Sequence, residues 1–270
     1  MTDSPGPRQP RPRVTRPPLL AAAAFALLLA AAWPDAANAR LRFAIQEFEP
    51  FTYFQDGLPR GAAVECVLAV CEAMGEQCSM DIYPWPRAQL LVRTGELDGL
   101  FVLGFNPGRA AWLRFSPPLV NTEYGFFSRR GSRFRFDGPM SLAGLSIGVY
   151  GPSNTSYTLE QMLKDVPVAA LDMRPDDESG FVKLSLGRVD TVFSNKDVGL
   201  AVMKKLGLAN VVYAGRQSAT TYYVAFSHHA DLAKVRLFNQ TLAALQKNGT
   251  IPALLARYGM TPPKDLEVPK

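Results

Sequence analysis

The sequence predicts an α/β protein made of two halves of similar design around a ligand cleft. Three observations carry this. Strand-like and helix-like segments alternate from position 41 onward. The run Leu97–Leu103 is apolar enough to be a central strand of a parallel sheet. Gly95-Glu96-Leu97-Asp98-Gly99-Leu100-Phe101 is echoed by Gly187-Arg188-Val189-Asp190-Thr191-Val192-Phe193, each run following a helical stretch. In open sheets of this kind ligands sit at the carboxyl ends of the strands.

The elements follow in order. Leu41–Ile45 alternates as a strand, and Gln46–Tyr53 is an aromatic-rich loop that Pro50 keeps out of regular pairing. A turn at Asp56-Gly57 leads to a helix over Gly61–Met74, which Gly75 stops. Ser79–Tyr83 is a short strand, Arg87–Arg93 a helix ending at Gly95, and Leu97–Leu103 the central strand. Phe115-Ser116-Pro117-Pro118 breaks the pattern before a strand at Tyr124–Ser128. After a polar crossing, a second unit starts at Leu145–Val149. It continues through Gly151-Pro152-Ser153-Asn154-Thr155 into a helix near Leu159–Leu163, then a helix over Glu178–Leu186. Tyr222–Phe226 is a strand and Leu232–Leu245 an amphipathic helix. The last helix is expected to be capped by Thr250, with Pro252 in its first turn and Gly259 after it, and the tail beyond Thr261 to be unordered.

The totals bound the function. The chain has 270 residues, 47% hydrophobic and 20% charged, a globular composition. Its formal charge is +5, but residues 1–39 carry four arginines against two aspartates, so the remainder stands at +3. No basic run interleaved with aromatics appears, so no nucleic-acid partner is expected. Those first 39 residues have the layout of a secretory signal: an Arg-rich lead, an apolar run from Leu19 to Ala32, and Ala37-Asn38-Ala39 at the cleavage point. The run falls short of the roughly 20 residues that span a bilayer, although an uncleaved anchor is the alternative. A periplasmic location is therefore expected.

Export would place the three cysteines in an oxidising compartment. Cys71 and Cys78 stand at a helix end and a strand start, where a bridge would pin one to the other, and Cys66 falls in the apolar part of the same helix. The two adjacent histidines, His228 and His229, do not form a zinc-ligand pattern with the cysteines, so no metal is expected. No cofactor is expected either. Arg109, at a strand-to-helix turn in Asn106-Pro107-Gly108-Arg109, follows Trp85 by two dozen positions, and the pair points to a cleft that grips a small anion. The alternative is a surface arginine paired with Glu123 or Asp98.

In sum, Pro50-Phe51-Thr52-Tyr53, Gly61 with Glu65, Gly95-Glu96-Leu97-Asp98, Asn-Pro-Gly-Arg109 and Phe115–Leu119 stand in an ordered series. Leu142–Val149, Leu186–Asp190 and Asn248-Gly249-Thr250 extend it. Over about Leu41 to Gly259 the chain resembles the bacterial extracellular solute-binding proteins of family 3, which capture polar amino acids for ABC importers. The resemblance implies a two-lobe periplasmic-binding-protein fold (type II), with a mixed sheet flanked by helices in each lobe. Lobe one would hold 40–128 and 227–270 and lobe two 129–226, with crossings near Ser128–Arg133 and Val224–Ser227. It also implies a monomer that hands its ligand to a membrane permease, and the Cys71/Cys78 spacing matches a disulfide of basic-amino-acid binders.

By resemblance Arg109 holds a ligand carboxylate, Phe48 and Trp85 sandwich the ligand, and Ser153, Asn154 and Thr155 meet it from the second lobe. Core packing for the aromatics and a helix N-cap for Ser153–Thr155 are the plainer readings. Arg87, beside Trp85, is a second anion donor or a solvated helix charge. The chain departs from the family at the α-ammonium site, where Val102-Leu103 and Asn195 stand in place of a serine pair and an aspartate. Glu47, Glu65 or Asp197 could substitute, or the ligand lacks an α-ammonium. No catalytic residue is assigned. The runner-up is an enzyme on the same fold resembling periplasmic cyclohexadienyl dehydratase, with Glu178 or Asp197 as general acid; a sensor partner is a third possibility.

Overall fold

The computed structural model describes Thr2 and residues 40–269. The expected secretion signal and its cleavage point lie outside the described residues. Among the described residues no helix is long and apolar enough to cross a membrane.

Eight strands form one mixed sheet. Its first block is parallel: β1 (Leu41–Ile45) lies between β4 (Cys78–Ile82) and β5 (Gly99–Gly104). Its far block is parallel too, with β7 (Ser146–Tyr150) between β8 (Ala170–Arg174) and β9 (Thr191–Asn195). Between them run two 17-residue strands, β6 (Leu113–Arg129) and β10 (Val211–Ser227), antiparallel to each other. β10 pairs with β5 over Tyr222–Phe226, while β6 pairs with β9 over Tyr124–Ser128. Both long strands thus belong to both blocks, and Arg40–Lys270 coheres as a single unit.

The two long strands correct two expectations. The Phe115–Pro118 stretch does not break the pattern but lies inside β6. The ladder slips there, and the backbone N–H of Val224 donates to the Ser116 hydroxyl at 3.1 Å. A side chain thus supplies an acceptor where the pairing is irregular around the two prolines. Tyr222–Phe226 proves to be only the end of β10, because its earlier part, Gly215–Thr221, is polar and small and gives no alternating apolar signal.

The helices sit where the apolar periodicity placed most of them. They are α1 (Ala62–Ala73), α2 (Trp85–Arg93), α3 (Pro107–Ala110), α4 (Asn154–Met162) and α5 (Asp177–Ser185). α6 (Lys196–Lys205), α7 (Leu232–Lys247) and α8 (Thr250–Ala256) follow. α6 and β8 carried no sequence expectation, and Tyr53–Gln55 (β2) with Leu58–Arg60 (β3) forms an unexpected hairpin around Asp56-Gly57. The last helix is entered by Gly249 at φ 88°, with Asn248 Oδ1 accepting from the Thr250 N–H at 3.0 Å, so Thr250 is its first residue and not its cap. The disulfide joins Cys71 to Cys78, tying the end of α1 to the start of β4.

The echoed motif has a physical cause. Asp98 Oδ2 accepts the N–H of Arg42 at 2.8 Å, while its own N–H donates to the Arg42 carbonyl at 2.9 Å. Asp190 does the same with Ser146, at 2.8 Å in both directions. In each block the aspartate holds the start of the central strand, and the left-handed glycine before it, Gly95 or Gly187, lets the helix turn into that position. Phe43, Phe101, Phe226 and Phe238 fill the core of the first block, their neighbouring rings 5.1–6.1 Å apart. Phe126, Phe127, Phe181 and Phe193 fill the second. Each such ring contributes about 1.5–3 kcal/mol by burial.

Candidate ligand-binding cleft

The cleft lies at the carboxyl ends of β1, β5 and β7. It has two connected chambers that share Gln46, Phe48, Trp85 and Tyr150 as walls. The inner chamber measures about 20 Å³ and holds Arg109 with Gly104, Tyr124, Tyr222 and Ser153–Thr155. The outer chamber measures about 450 Å³ and opens towards Glu47, Glu49, Asp176, Asp177, Glu178 and Lys205.

Arg109 is placed by a short, well-determined turn. Asn106 caps α3, its Oδ1 accepting the Arg109 N–H at 2.9 Å, and Pro107 fixes the first helical φ. Arg109 is 8% exposed, and its guanidinium donates to the Gly104 carbonyl at 2.9 Å and lies 5.5 Å from the Trp85 ring centre. Burial pushes its pKa down. The two carboxylates considered for it turn elsewhere. Asp98 pairs with Arg42, and Glu123 with Lys196 and Arg216. Among the described residues no carboxylate pairs with Arg109.

The neighbouring backbone is unusual. Val102 sits in the left-handed region at φ 64°, where a β-branched residue is strained, and the β5–β10 ladder skips it. This bulge carries Val102, Leu103 and Gly104 into the inner chamber. A Cβ on Gly104 would come within 2.7 Å of Asn154 Nδ2, so a larger residue there would displace the Asn154 amide.

Trp85 is 4% exposed at the N-terminus of α2. Phe48 stacks on Phe51 at 5.6 Å and meets Tyr222 edge-on at 5.9 Å. Both aromatics therefore pack in the core and face the cleft. Ser153 caps α4, accepting from the N–H groups of Thr155 and Ser156 and donating to the Tyr150 carbonyl, with Thr155 buried beside it. Asn154 accepts from Asn106 Nδ2 at 3.1 Å and donates to the Tyr124 hydroxyl at 3.4 Å. With the Tyr150 hydroxyl donating to Gln46 Oε1 at 3.0 Å, this makes two hydrogen bonds across the cleft.

Glu47 lines the outer chamber, its Oε1 accepting from the Phe54 N–H at 3.1 Å, and burial raises its pKa. Four candidates stand outside both chambers, among them Asp197, which lines a separate cavity. Arg87 is exposed on α2 and lies over Tyr83 at 5.9 Å. Glu65 is held by Arg257 and the Tyr258 hydroxyl. Asn195 is buried, caps α6, and donates to the Thr122 and Tyr222 hydroxyls, so its amide is spent on structure.

Sequence reasoning missed Gln46 and Tyr150, at the ends of β1 and β7, and Tyr124 and Tyr222, inside the two long strands, none of them singled out by a motif. It also missed Asp177. Desolvation of its carboxyl pushes the pKa up to about 7, while its Ser194 hydrogen bond at 3.1 Å acts the other way. Consecutive acids at a helix start read as ordinary capping, and Asp176 indeed caps α5.

The model of one protein family, bacterial extracellular solute-binding proteins, family 3, matches residues 41–261. The chain belongs to that family. Solved structures agree with family 3 in fold. A histidine kinase sensor domain with similarity to periplasmic binding proteins aligns with a TM-score of 0.75 at 23% identity, over 83% of this chain and 98% of that one. An ancestral arginine-binding protein bound to arginine aligns with a TM-score of 0.73 at 21% identity, over 81% and 97%. The arginine-, lysine-, histidine-binding protein ArtJ from Geobacillus stearothermophilus gives 0.71 at 18%, over 83% and 97%. At these identities the likeness is one of fold. No curated protein sequence matches this family 3 chain.

Proposed function

We propose that this family 3 protein is a periplasmic binding protein that captures a small carboxylate-bearing solute between two lobes and delivers it to an ABC permease. The observation that carries the reading is Arg109: buried, charged, without a counter-ion among the described residues, and facing a chamber with room for about one water-sized group. A carboxylate oxygen fits such a space, and a guanidinium fork meets a carboxylate with two parallel hydrogen bonds. Arginine-binding proteins among the structural neighbours support an amino acid or related organic acid as the solute class.

We place the lobes where β6 and β10 change partner, at about Asn121–Glu123 and Ala219–Thr221. These positions lie several residues from the crossings expected from sequence. The dehydratase-like reading has less support. Glu178 pairs with Lys205 at 2.7 Å, and Asp197 accepts from Thr122 beside a separate cavity of about 280 Å³.

The test is a melting-shift screen of purified protein against amino acids, aromatic acids and dicarboxylates. At least one carboxylate should raise the melting temperature by several degrees, and Arg109→Ala should remove that rise. A panel without any carboxylate-dependent shift, or a shift that survives Arg109→Ala, would sink the reading.

A further inference from the structure

We propose that the cleft selects an ω-cationic carboxylate: its carboxylate on Arg109, an uncharged carbon beside it, and an amino or guanidino group in the outer chamber among Glu47, Glu49, Asp176 and Asp177. This deepens the proposed function and rests on Arg109 being the carboxylate anchor.

The two chambers have opposite chemistry. No carboxylate lines the inner chamber. Its strongest acceptors are already engaged, the Gly104 carbonyl by Arg109 and the Gln46 amide oxygen by the Tyr150 hydroxyl. Val102 and Leu103 give apolar walls. An ammonium on the carbon next to the carboxylate would be desolvated there without an anionic partner and beside a buried guanidinium, which is costly. A plain methylene at that position costs nothing of the kind.

The outer chamber reverses the sign. Five carboxylates line it against one ammonium, Lys205, which Glu178 already pairs at 2.7 Å. Asp176 is occupied in capping α5, but Glu47, Glu49 and Asp177 form no close ion pair among the described residues, Lys205 acting on Glu47 and Glu49 only from a distance. Burial opposes ionisation of both Glu47 and Asp177, so a cation among them relieves an existing penalty. The shared walls Phe48 and Trp85 give the connecting methylenes an apolar passage between the two ends.

Pairs of ligands that differ in one group test this on the unmodified protein, by calorimetry. Desamino-arginine should bind at least about tenfold tighter than L-arginine, and desamino-lysine tighter than L-lysine by a similar factor. Pentanoate, which keeps only the carboxylate end, should bind more weakly than desamino-arginine. Asp177→Asn combined with Glu47→Gln should erase that advantage, bringing desamino-arginine down to the affinity of pentanoate for the same variant. Tighter binding of arginine or lysine than of their desamino forms overturns the inference, as does an advantage that survives the double substitution. If pentanoate and dicarboxylates bind through Arg109 while cationic tails give no gain, the carboxylate receptor stands and this inference falls. If no carboxylate binds at all, both fall.

Discussion

Arg109 and Asp177 are two cleft side chains whose ionisation burial makes costly, and each gives a measurable consequence. Arg109 keeps a charge out of water with one carbonyl and one indole face as company. Replacing a buried ion that lacks a counter-ion by an apolar side chain of similar volume is often neutral or stabilising. Arg109→Met should therefore leave the unliganded melting temperature unchanged or a few degrees higher, while abolishing ligand-dependent stabilisation. A large loss of unliganded stability would mean that the arginine is structural. Asp177 titrates near 7 in the folded state, above its ordinary carboxyl value. Its folded pKa is raised, so the ionised form opposes folding. Its contribution to stability is most favourable below its unfolded pKa and declines as pH rises towards about 7. Glu47 and Glu49 from the first block and Asp176 and Glu178 on α5 face the same space, with Tyr150 from β7 and Lys205 from α6. Unliganded melting temperatures at pH 5 and pH 8 should differ less in Asp177→Asn than in the parent protein. Equal differences would show that this carboxyl is solvated.

At the scale of elements, the aspartate that each block sets against its central strand gives a paired prediction. Asp98→Ala and Asp190→Ala remove the same kind of bond, a carboxylate accepting a strand-leading N–H at 2.8 Å. A hydrogen bond of this type contributes about 1–2 kcal/mol net, so each substitution should lower the melting temperature by roughly 2–8 °C in a domain of this size. If only one of the two has an effect, the echo is one of sequence alone. This motif also shows what the sequence makes legible. Gly-x-x-Asp before an apolar run is a local pattern, so both copies could be read directly, although the strand starts that the two aspartates hold, at Arg42 and Ser146, lie 56 and 44 residues away. The same holds for Arg109, fixed by Asn106 and Pro107, and for the Cys71–Cys78 bridge at a helix end. What stayed hidden depends on distant partners. β6 looked broken at Pro117-Pro118 because the compensating N–H belongs to Val224, more than a hundred residues away. Asn195 looked like a ligand contact because nothing near it in sequence announces the Thr122 and Tyr222 hydroxyls that take its amide. Tyr150 and Gln46 meet only once the two blocks face each other.

For the whole molecule, the proposed capture between two lobes turns on the balance between open and closed arrangements of the two blocks. Among the described residues only β6 and β10 run continuously from one block to the other, and two hydrogen bonds bridge the cleft, Tyr150 to Gln46 and Asn106 to Asn154. The inner chamber of about 20 Å³ has room for the carboxylate end alone, so on the two-lobe reading the rest of the ligand seats in the outer chamber as the blocks close over it. A ligand then stabilises the closed arrangement by its differential affinity for it. Each bridging bond contributes about 0.5–1.5 kcal/mol, which sets the scale of the bias in the absence of ligand. Tyr150→Phe with Asn154→Ala removes both bridges while leaving Arg109 and Trp85 in place. The unliganded double variant should have a larger radius of gyration by small-angle scattering, and its affinity should fall by about tenfold. Because the bridges form after entry, the loss should appear in the dissociation rate more than in the association rate. Unchanged dimensions together with an unchanged dissociation rate would show that the bridges do not hold the closed state, and that ligand contacts alone draw the two blocks together.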